Sequence, residues 1–114
     1  MSRLIPLADV TDLEAAIAES RERPVLLFKH SRYCGVSCEA LDALHAHIES
    51  AAGHIAYKII TVQTHRPVSD AAAQRLGVRH ETPQALLLRH GKVIWNASHF
   101  RITASELDRA TSEN

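Results

Sequence analysis

The chain carries only two cysteines in 114 residues, Cys34 and Cys38. That is too few for a disulfide scaffold or a four-cysteine zinc site, so whatever they do is done locally. Net charge is missing as well, because 13 basic residues balance 13 acidic ones. No broad electropositive surface for nucleic-acid phosphates or anionic lipid is therefore expected. No apolar run approaches the roughly 18 residues that a membrane-spanning helix needs. The first residues, Met1 to Leu7, show no secretory pattern, since Pro6 and Asp9 interrupt any apolar run. A cytoplasmic protein bound to neither nucleic acid nor membrane is expected, and a monomer. Repeats, low-complexity tracts and linkers are also absent, which predicts one continuous domain over residues 1–114. The eight histidines lack metal-site spacing: there is no H-E-x-x-H, and His45 and His47 point to nearly opposite faces of a helix. No metal is expected.

What is present is apolar and periodic. Leu, Ile, Val and Phe number 29, enough to build a core. Thr11 to Glu14 reads as a capping box opening a helix over about residues 11–21, which Pro24 ends. Val25-Leu26-Leu27-Phe28 is an unbroken apolar run of the kind found in a strand buried on both faces. From Cys34 to Ser50 a helix is predicted with Cys38, Leu41, Leu44, His45 and Ile48 on its inner face. A strand follows over Ile55 to Val62, then a short helix from Ser69 to Leu76 that Gly77 caps. Ala85 to Leu88 and Val93 to Trp95 flank His90-Gly91 as a hairpin with Trp95 packed in it, and a box from Thr103 to Glu106 opens a last helix. The two strands joined through the Cys34 helix should be parallel, with a right-handed crossover.

Chemistry is expected at Cys34. It stands where a strand ends and a helix begins, and the free N–H groups of a helix start favour a thiolate. Lys29, His30 and Arg32 lie just upstream and would add positive charge. Ser37, three residues on, shares the helix face and would donate a hydrogen bond to the sulfur. Cys38 has two readings, a buried inert thiol on the apolar stripe or a resolving thiol. The first is favoured, because residues four apart in a regular helix are about 5–6 Å apart at Cβ and a disulfide wants about 3.5–4.5 Å.

Several motifs occur together in order: Phe28-Lys29-His30-Ser31 with Cys34-Gly35-Val36-Ser37, Val78 to Gln84 with Thr82-Pro83, Gly91 to Trp95, and Ala97 to Phe100 with Ile102-Thr103. From about Pro24 to the last helix the chain resembles the bacillithiol-system oxidoreductases, the YtxJ-like monothiol bacilliredoxins. It departs from them at Gly35, where they usually carry proline, and at Cys38, where they usually carry no cysteine. The resemblance implies a thioredoxin-like α/β fold, a three-layer sandwich with a four-stranded mixed sheet in the order 2-1-3-4 flanked by helices. It also implies that Cys34 is the nucleophile and that Thr82-Pro83 is a cis peptide facing it.

The implied activity is thiol-disulfide exchange that strips a small thiol such as bacillithiol from S-thiolated protein substrates. The small thiol is then a cosubstrate, and no cofactor is bound. Thr82, Pro83, Lys29, His30, Arg32 and His80 are the residues expected around the substrate, with His30 and His80 either tuning the thiolate or serving as structural hydrogen-bonders. Two rival functions are a [2Fe–2S] carrier of the monothiol glutaredoxin type, because Cys34 to Ser37 is one residue from C-G-F-S, and a thioredoxin-fold adaptor without redox chemistry. Against the first, Asn96 to His99 stands where such carriers place a glutathione-gripping Gly-Gly-Cys-Asp segment. Charge is balanced only in sum. His54 to Lys92 holds six Lys and Arg against two acids, so the basic half would supply one wall of the site.

Overall fold

The computed structural model describes residues 3–51 and 53–112. Ten elements follow one another: β1 (Leu4–Pro6), α1 (Val10–Glu19), β2 (Val25–His30), α2 (Gly35–Ser50), β3 (Ala56–Thr61), α3 (Arg66–Leu76), β4 (Gln84–Arg89), β5 (Lys92–Ser98), a 3₁₀ turn (His99–Arg101) and α4 (Ala104–Ser112). The strands form one sheet in the order β1-β3-β2-β4-β5. β2 runs parallel to β3 and antiparallel to β4. All six residues of β2 are buried, as a continuous apolar run in a central strand requires.

Side-chain alternation divides the core into two. Leu26 and Phe28 of β2 and Ala85 and Leu87 of β4 meet Ala40, Leu44 and Ile48 of α2 and Leu107 and Ala110 of α4. Val25, Leu27, Leu86 and Leu88 meet Leu13, Ala16 and Ile17 of α1 and Val68 and Ala72 of α3. The result is the expected three-layer α/β sandwich. The sheet has five strands rather than four, because Leu4–Pro6 adds an edge strand parallel to β3, with Leu4 opposite Tyr57. Three residues are too few to show alternation, and Pro6 suits an edge. The order of the other four, β3-β2-β4-β5, is the predicted 2-1-3-4. Among the described residues no helix is long and apolar enough to cross a membrane.

Three local expectations shift. The cap of α1 is Asp9, not Thr11: its carboxylate accepts from Asp12 N at 2.8 Å, and Asp12 in return accepts from Ala8 N at 2.9 Å. The acidic pair closes the box two residues earlier and leaves Glu14 to pair with Arg75 of α3. α3 begins at Arg66 rather than Ser69, since Pro67 is well placed in a first helical turn. The buried face of α2 is Ser37, Ala40, Leu44, His47 and Ile48, so Cys38 and His45 are exposed. Two polar residues take inner positions because the fold supplies partners. His47 pairs with Asp108 of α4 through Nδ1 and with the Tyr57 hydroxyl through Nε2 at 2.8 Å.

The other signals act as read. Gly77 caps α3 at φ 67°. His90 and Gly91 both have positive φ, 55° and 78°, the geometry of a tight two-residue hairpin turn. Thr103 accepts from Glu106 N at 3.2 Å at the head of α4.

Register places the functional end. His30 sits opposite Thr61, Lys29 opposite Gln84, and Gln84 opposite Ser98. The chain after β2, the chain after β3, the chain before β4 and the chain after β5 therefore gather at one end of the sheet. Those four segments contain Cys34, Gln63, Thr82-Pro83 and His99.

Candidate active site

Cys34 is the first residue of interest at that end. It is half-buried and occupies the N-cap of the 16-residue helix α2, at φ −105° and ψ 120°. Its carbonyl accepts the first helical hydrogen bond, from Cys38 N at 3.0 Å, and its own N–H donates to Ser31 O at 3.3 Å. Its side chain makes no cap bond. The N–H groups of Gly35, Val36 and Ser37 thus have no intrahelical acceptor and gather at the head of the helix that Cys34 caps. Cys38 donates its S–H to Arg32 O at 3.6 Å, and both thiols are free.

The loop before Cys34 is braced from two sides. Gln63, just beyond β3, accepts from Arg32 N at 3.1 Å and donates to Ser31 Oγ at 2.7 Å. Ser37 is fully buried, and its hydroxyl accepts from Ser31 N at 2.9 Å and pairs with His30 Nδ1 at 2.8 Å. The Ser37 hydroxyl is therefore engaged beneath the loop, where the sequence had it donating to the Cys34 sulfur. Burial, reinforced by the positive charge of Arg32, lowers the pKa of His30, so the ring is neutral at pH 7.

Lys29 and His30 are neighbours in β2 and point to opposite faces. Lys29 is expected from sequence beside the substrate; alternation carries it into the α3 side, where it is 0% exposed. There Nζ donates to Ser69 O at 3.1 Å and to His80 Nδ1 at 3.2 Å. Burial pulls the Lys29 pKa down to about 8, with Asp70 opposing and Arg66 adding to the shift. His80 also meets Ser69 Oγ at 3.3 Å. Burial and then the Lys29 charge lower its pKa. His80 is thus tied into the wall of the site two residues ahead of Thr82.

Thr82-Pro83 is a cis peptide. Pro83 O accepts from His99 N at 3.0 Å, which joins the start of β4 to the turn after β5. Gln84, next in line, donates to Arg79 O at 3.0 Å, and its Oε1 is buried without a partner. His99 holds φ 56°, a conformation uncommon outside glycine, and Phe100 beside it is 74% exposed. Ser98 hydrogen-bonds the Glu81 carboxylate and lowers its pKa, with His99, Arg79 and Arg101 adding to the effect.

Of the residues singled out in the sequence, Cys34, Ser37, His30, Arg32, Thr82, Pro83 and His80 all lie at this end. Gln63, Ser69, Gln84 and His99 were missed. Their contacts with the loops lie across 32 residues for Gln63–Ser31 and 40 for Lys29–Ser69, so no local pattern announces them. Among the described residues no group of three or more His, Cys, Asp or Glu is placed to hold a metal ion. The arrangement offers a half-buried thiol at a helix start, at the same end of the sheet as a cis-proline segment, the parts needed for exchange with a disulfide.

Comparison with known proteins agrees. The family described as monothiol bacilliredoxin BrxC matches residues 5–107. A solved structure described as a candidate oxidoreductase with a thioredoxin fold is similar at TM-score 0.83 and 30% identity, covering 97% of this chain and 94% of that one. Thioredoxin of Fasciola hepatica is similar at TM-score 0.77 and 16% identity, with 96% and 97% covered. Thioredoxin of Malassezia sympodialis is similar at TM-score 0.76 and 14% identity, with 96% and 89% covered. The last two speak to the fold alone. The match over nearly the whole length, on a fold that sets Cys34 at the head of α2, shows that this chain belongs to the monothiol bacilliredoxin family, thiol redox proteins with the thioredoxin fold.

Proposed function

We propose that the protein removes a low-molecular-weight thiol of the bacillithiol type from S-thiolated proteins, with Cys34 as the nucleophile. The observation that carries this reading is the position of Cys34, half-buried at the uncapped start of α2 and at the same end of the sheet as cis Thr82-Pro83. The Cys34 thiolate attacks the small-thiol sulfur of a protein mixed disulfide. The old S–S bond breaks, the protein leaves as a thiolate and takes up a proton, and a Cys34–small-thiol disulfide remains. A second small-thiol molecule then attacks that disulfide, freeing Cys34 and leaving as the symmetrical disulfide.

The Thr82 backbone takes the extended target segment as a short added strand. Ser37 and His30 hold the loop before Cys34, and Lys29 with Ser69 holds His80 in the opposite wall. In this reading Cys38 does not resolve, because it sits one helical turn from Cys34 with its S–H given to Arg32 O. The small thiol is a cosubstrate, no bound cofactor is required, and the protein acts as a monomer in the reducing cytoplasm.

Intact mass spectrometry after challenge with bacillithiol disulfide, glutathione disulfide and coenzyme A disulfide tests the proposal. One small-thiol adduct that disappears in Cys34→Ser is expected. An adduct that persists in Cys34→Ser, or no adduct with any of the three, overturns it.

A further inference from the structure

None of the four residues from Ser31 to Cys34 is buried. Ser31 and Cys34 are half-buried, Arg32 is exposed, and Tyr33 is 88% exposed. Apolar packing contributes little to holding such a segment, so its position rests on hydrogen bonds. Gly35, the first residue of α2, adds freedom on the other side of Cys34, because a Cβ placed there would meet no tertiary neighbour within 4 Å.

Against that freedom works one side chain from a distant segment. Gln63 uses both ends of its amide on consecutive residues of the loop: Oε1 accepts from Arg32 N at 3.1 Å, and Nε2 donates to Ser31 Oγ at 2.7 Å. The orientation of the amide is fixed, since a backbone N–H only donates and must face the amide oxygen. Ser31 passes the constraint on, because its carbonyl accepts from Cys34 N at 3.3 Å. Gln63 itself starts from firm backbone. Val62 before it is buried and donates its N–H to His30 O at 2.9 Å, and His65 N closes the turn onto Thr61 O at 3.0 Å. Ser37 also holds Ser31, from beneath, but it belongs to the helix that Cys34 caps. Gln63 ties the loop to the neighbouring strand β3.

We propose that Gln63 is a positioning residue for Cys34: its amide clamps Ser31 and Arg32 so that the sulfur stays at the head of α2. It acts through Ser31 and not on the sulfur itself. The inference rests on the exchange reaction proposed above and adds the group that keeps its nucleophile in line. A misplacement of about 1 Å at a reacting centre costs up to about 10²-fold in rate, so this clamp weighs more in the transfer step than in the stability of the fold.

Three variants test it, and all are expected to fold because Gln63 is exposed. Gln63→Met keeps the length of the side chain and removes both hydrogen bonds. Gln63→Glu keeps an acceptor for Arg32 N–H, and the Ser31 hydroxyl turns to donate to its other oxygen. Gln63→Met/Gly35→Ala narrows the backbone freedom at the helix start without restoring the clamp. The readout is single-turnover transfer from a peptide S-thiolated with bacillithiol, forming the Cys34–bacillithiol disulfide and releasing the peptide thiolate. In Gln63→Met the rate at saturating peptide should fall about tenfold while the half-saturating concentration stays within about twofold. Gln63→Glu, read at high salt to screen its charge, should stay within about threefold of the wild type, and Gly35→Ala should recover at least about threefold of the loss.

Amide hydrogen exchange gives a second measurement that needs no thiol chemistry. Exchange at Arg32 and Cys34 should quicken about tenfold in Gln63→Met. Cys34 is the telling one, since its N–H is bonded to Ser31 and not to Gln63. An unchanged saturating rate overturns the positioning role, and so does an effect confined to the half-saturating concentration, which would make Gln63 a target contact. Gln63→Glu as slow as Gln63→Met, or Cys34 N–H exchange at the wild-type rate, overturns it as well. Quickened N–H exchange in a protein whose wild type transfers no thiol leaves the clamp standing and overturns the exchange reaction instead.

Discussion

Lys29 Nζ lies 3.2 Å from His80 Nδ1, and this contact fixes the tautomer of the imidazole. A lysine side chain that carries its proton can only donate, as can the Ser69 hydroxyl when it turns toward the same nitrogen. Nδ1 must therefore be the acceptor, and the ring proton resides on Nε2. Nitrogen chemical shifts of His80 should report the Nε2–H form at pH 7; an Nδ1–H form would show that the contact does not persist in solution.

The same buried lysine should cost stability at neutral pH. Its folded pKa is about 8 against an ordinary value of 10.5, so the unfolded chain binds the extra proton between those limits. Stability attributable to this group therefore rises as pH increases from about 8 to 10.5 and is lost as pH falls through 8. A shift of this size corresponds to about 3 kcal/mol at pH 7. Lys29→Met, which keeps the volume and removes the charge, should raise stability at pH 7 by roughly 1–3 kcal/mol. Thermal unfolding at pH 7 and pH 9.5 measures both effects. A less stable Lys29→Met at pH 7 would mean that the hydrogen bonds to Ser69 and His80 outweigh the burial of the charge.

His30 and His80 should make the fold sensitive to mild acid. Both have pKa values held below 6.5 by burial, helped by Arg32 at His30 and by Lys29 and Arg66 at His80. Asp70 and Glu81 partly offset the shift at His80. The unfolded chain then takes up protons more readily as pH drops below 6.5, so stability present above that value is lost as pH falls through the folded pKa values. Urea midpoints between pH 7.5 and 5 should decline, and the decline should be smaller in His30→Gln. Equal slopes in the two proteins would rule out His30 as a source.

Ser37 is a bracing residue with two partners. Ser37→Ala leaves Ser31 N–H and His30 Nδ1 unpaired beneath the loop, which should cost about 1–3 kcal/mol. Denaturant unfolding reads the cost, and a change below about 0.5 kcal/mol would show that water replaces the hydroxyl.

At the head of α1, Asp9→Ala should cost about 1 kcal/mol and Thr11→Ala much less. Asp9 accepts from Asp12 N, and Thr11 lies inside the helix. The reverse ranking would restore the cap read from sequence.

Cys38→Ser should leave turnover by a second small-thiol molecule intact. A loss of two mass units from the wild-type chain, the mark of a Cys34–Cys38 disulfide, would make Cys38 the resolving thiol after all.

The sequence alone determined the alternation of elements, the buried run in β2, the Gly77 cap, the hairpin at His90-Gly91 and the strand-to-helix junction at Cys34. These depend on periodicity and on residues within a few positions of one another, which a linear reading can see. Only the tertiary structure decided which face of α2 is buried, because Ser37 and His47 enter the core through partners on β2, β3 and α4. It also sent Lys29 and His30 to opposite walls of one site, and brought Gln63 and His99 to the loops around Cys34 and Pro83. The reason is physical: a polar side chain is placed by the hydrogen bond it finds, and here the partners come from distant parts of the chain. The same holds for charge. The balance of 13 against 13 is a property of composition, whereas the pairing of Arg75 with Glu14, 61 residues apart, exists only because folding sets α3 against α1.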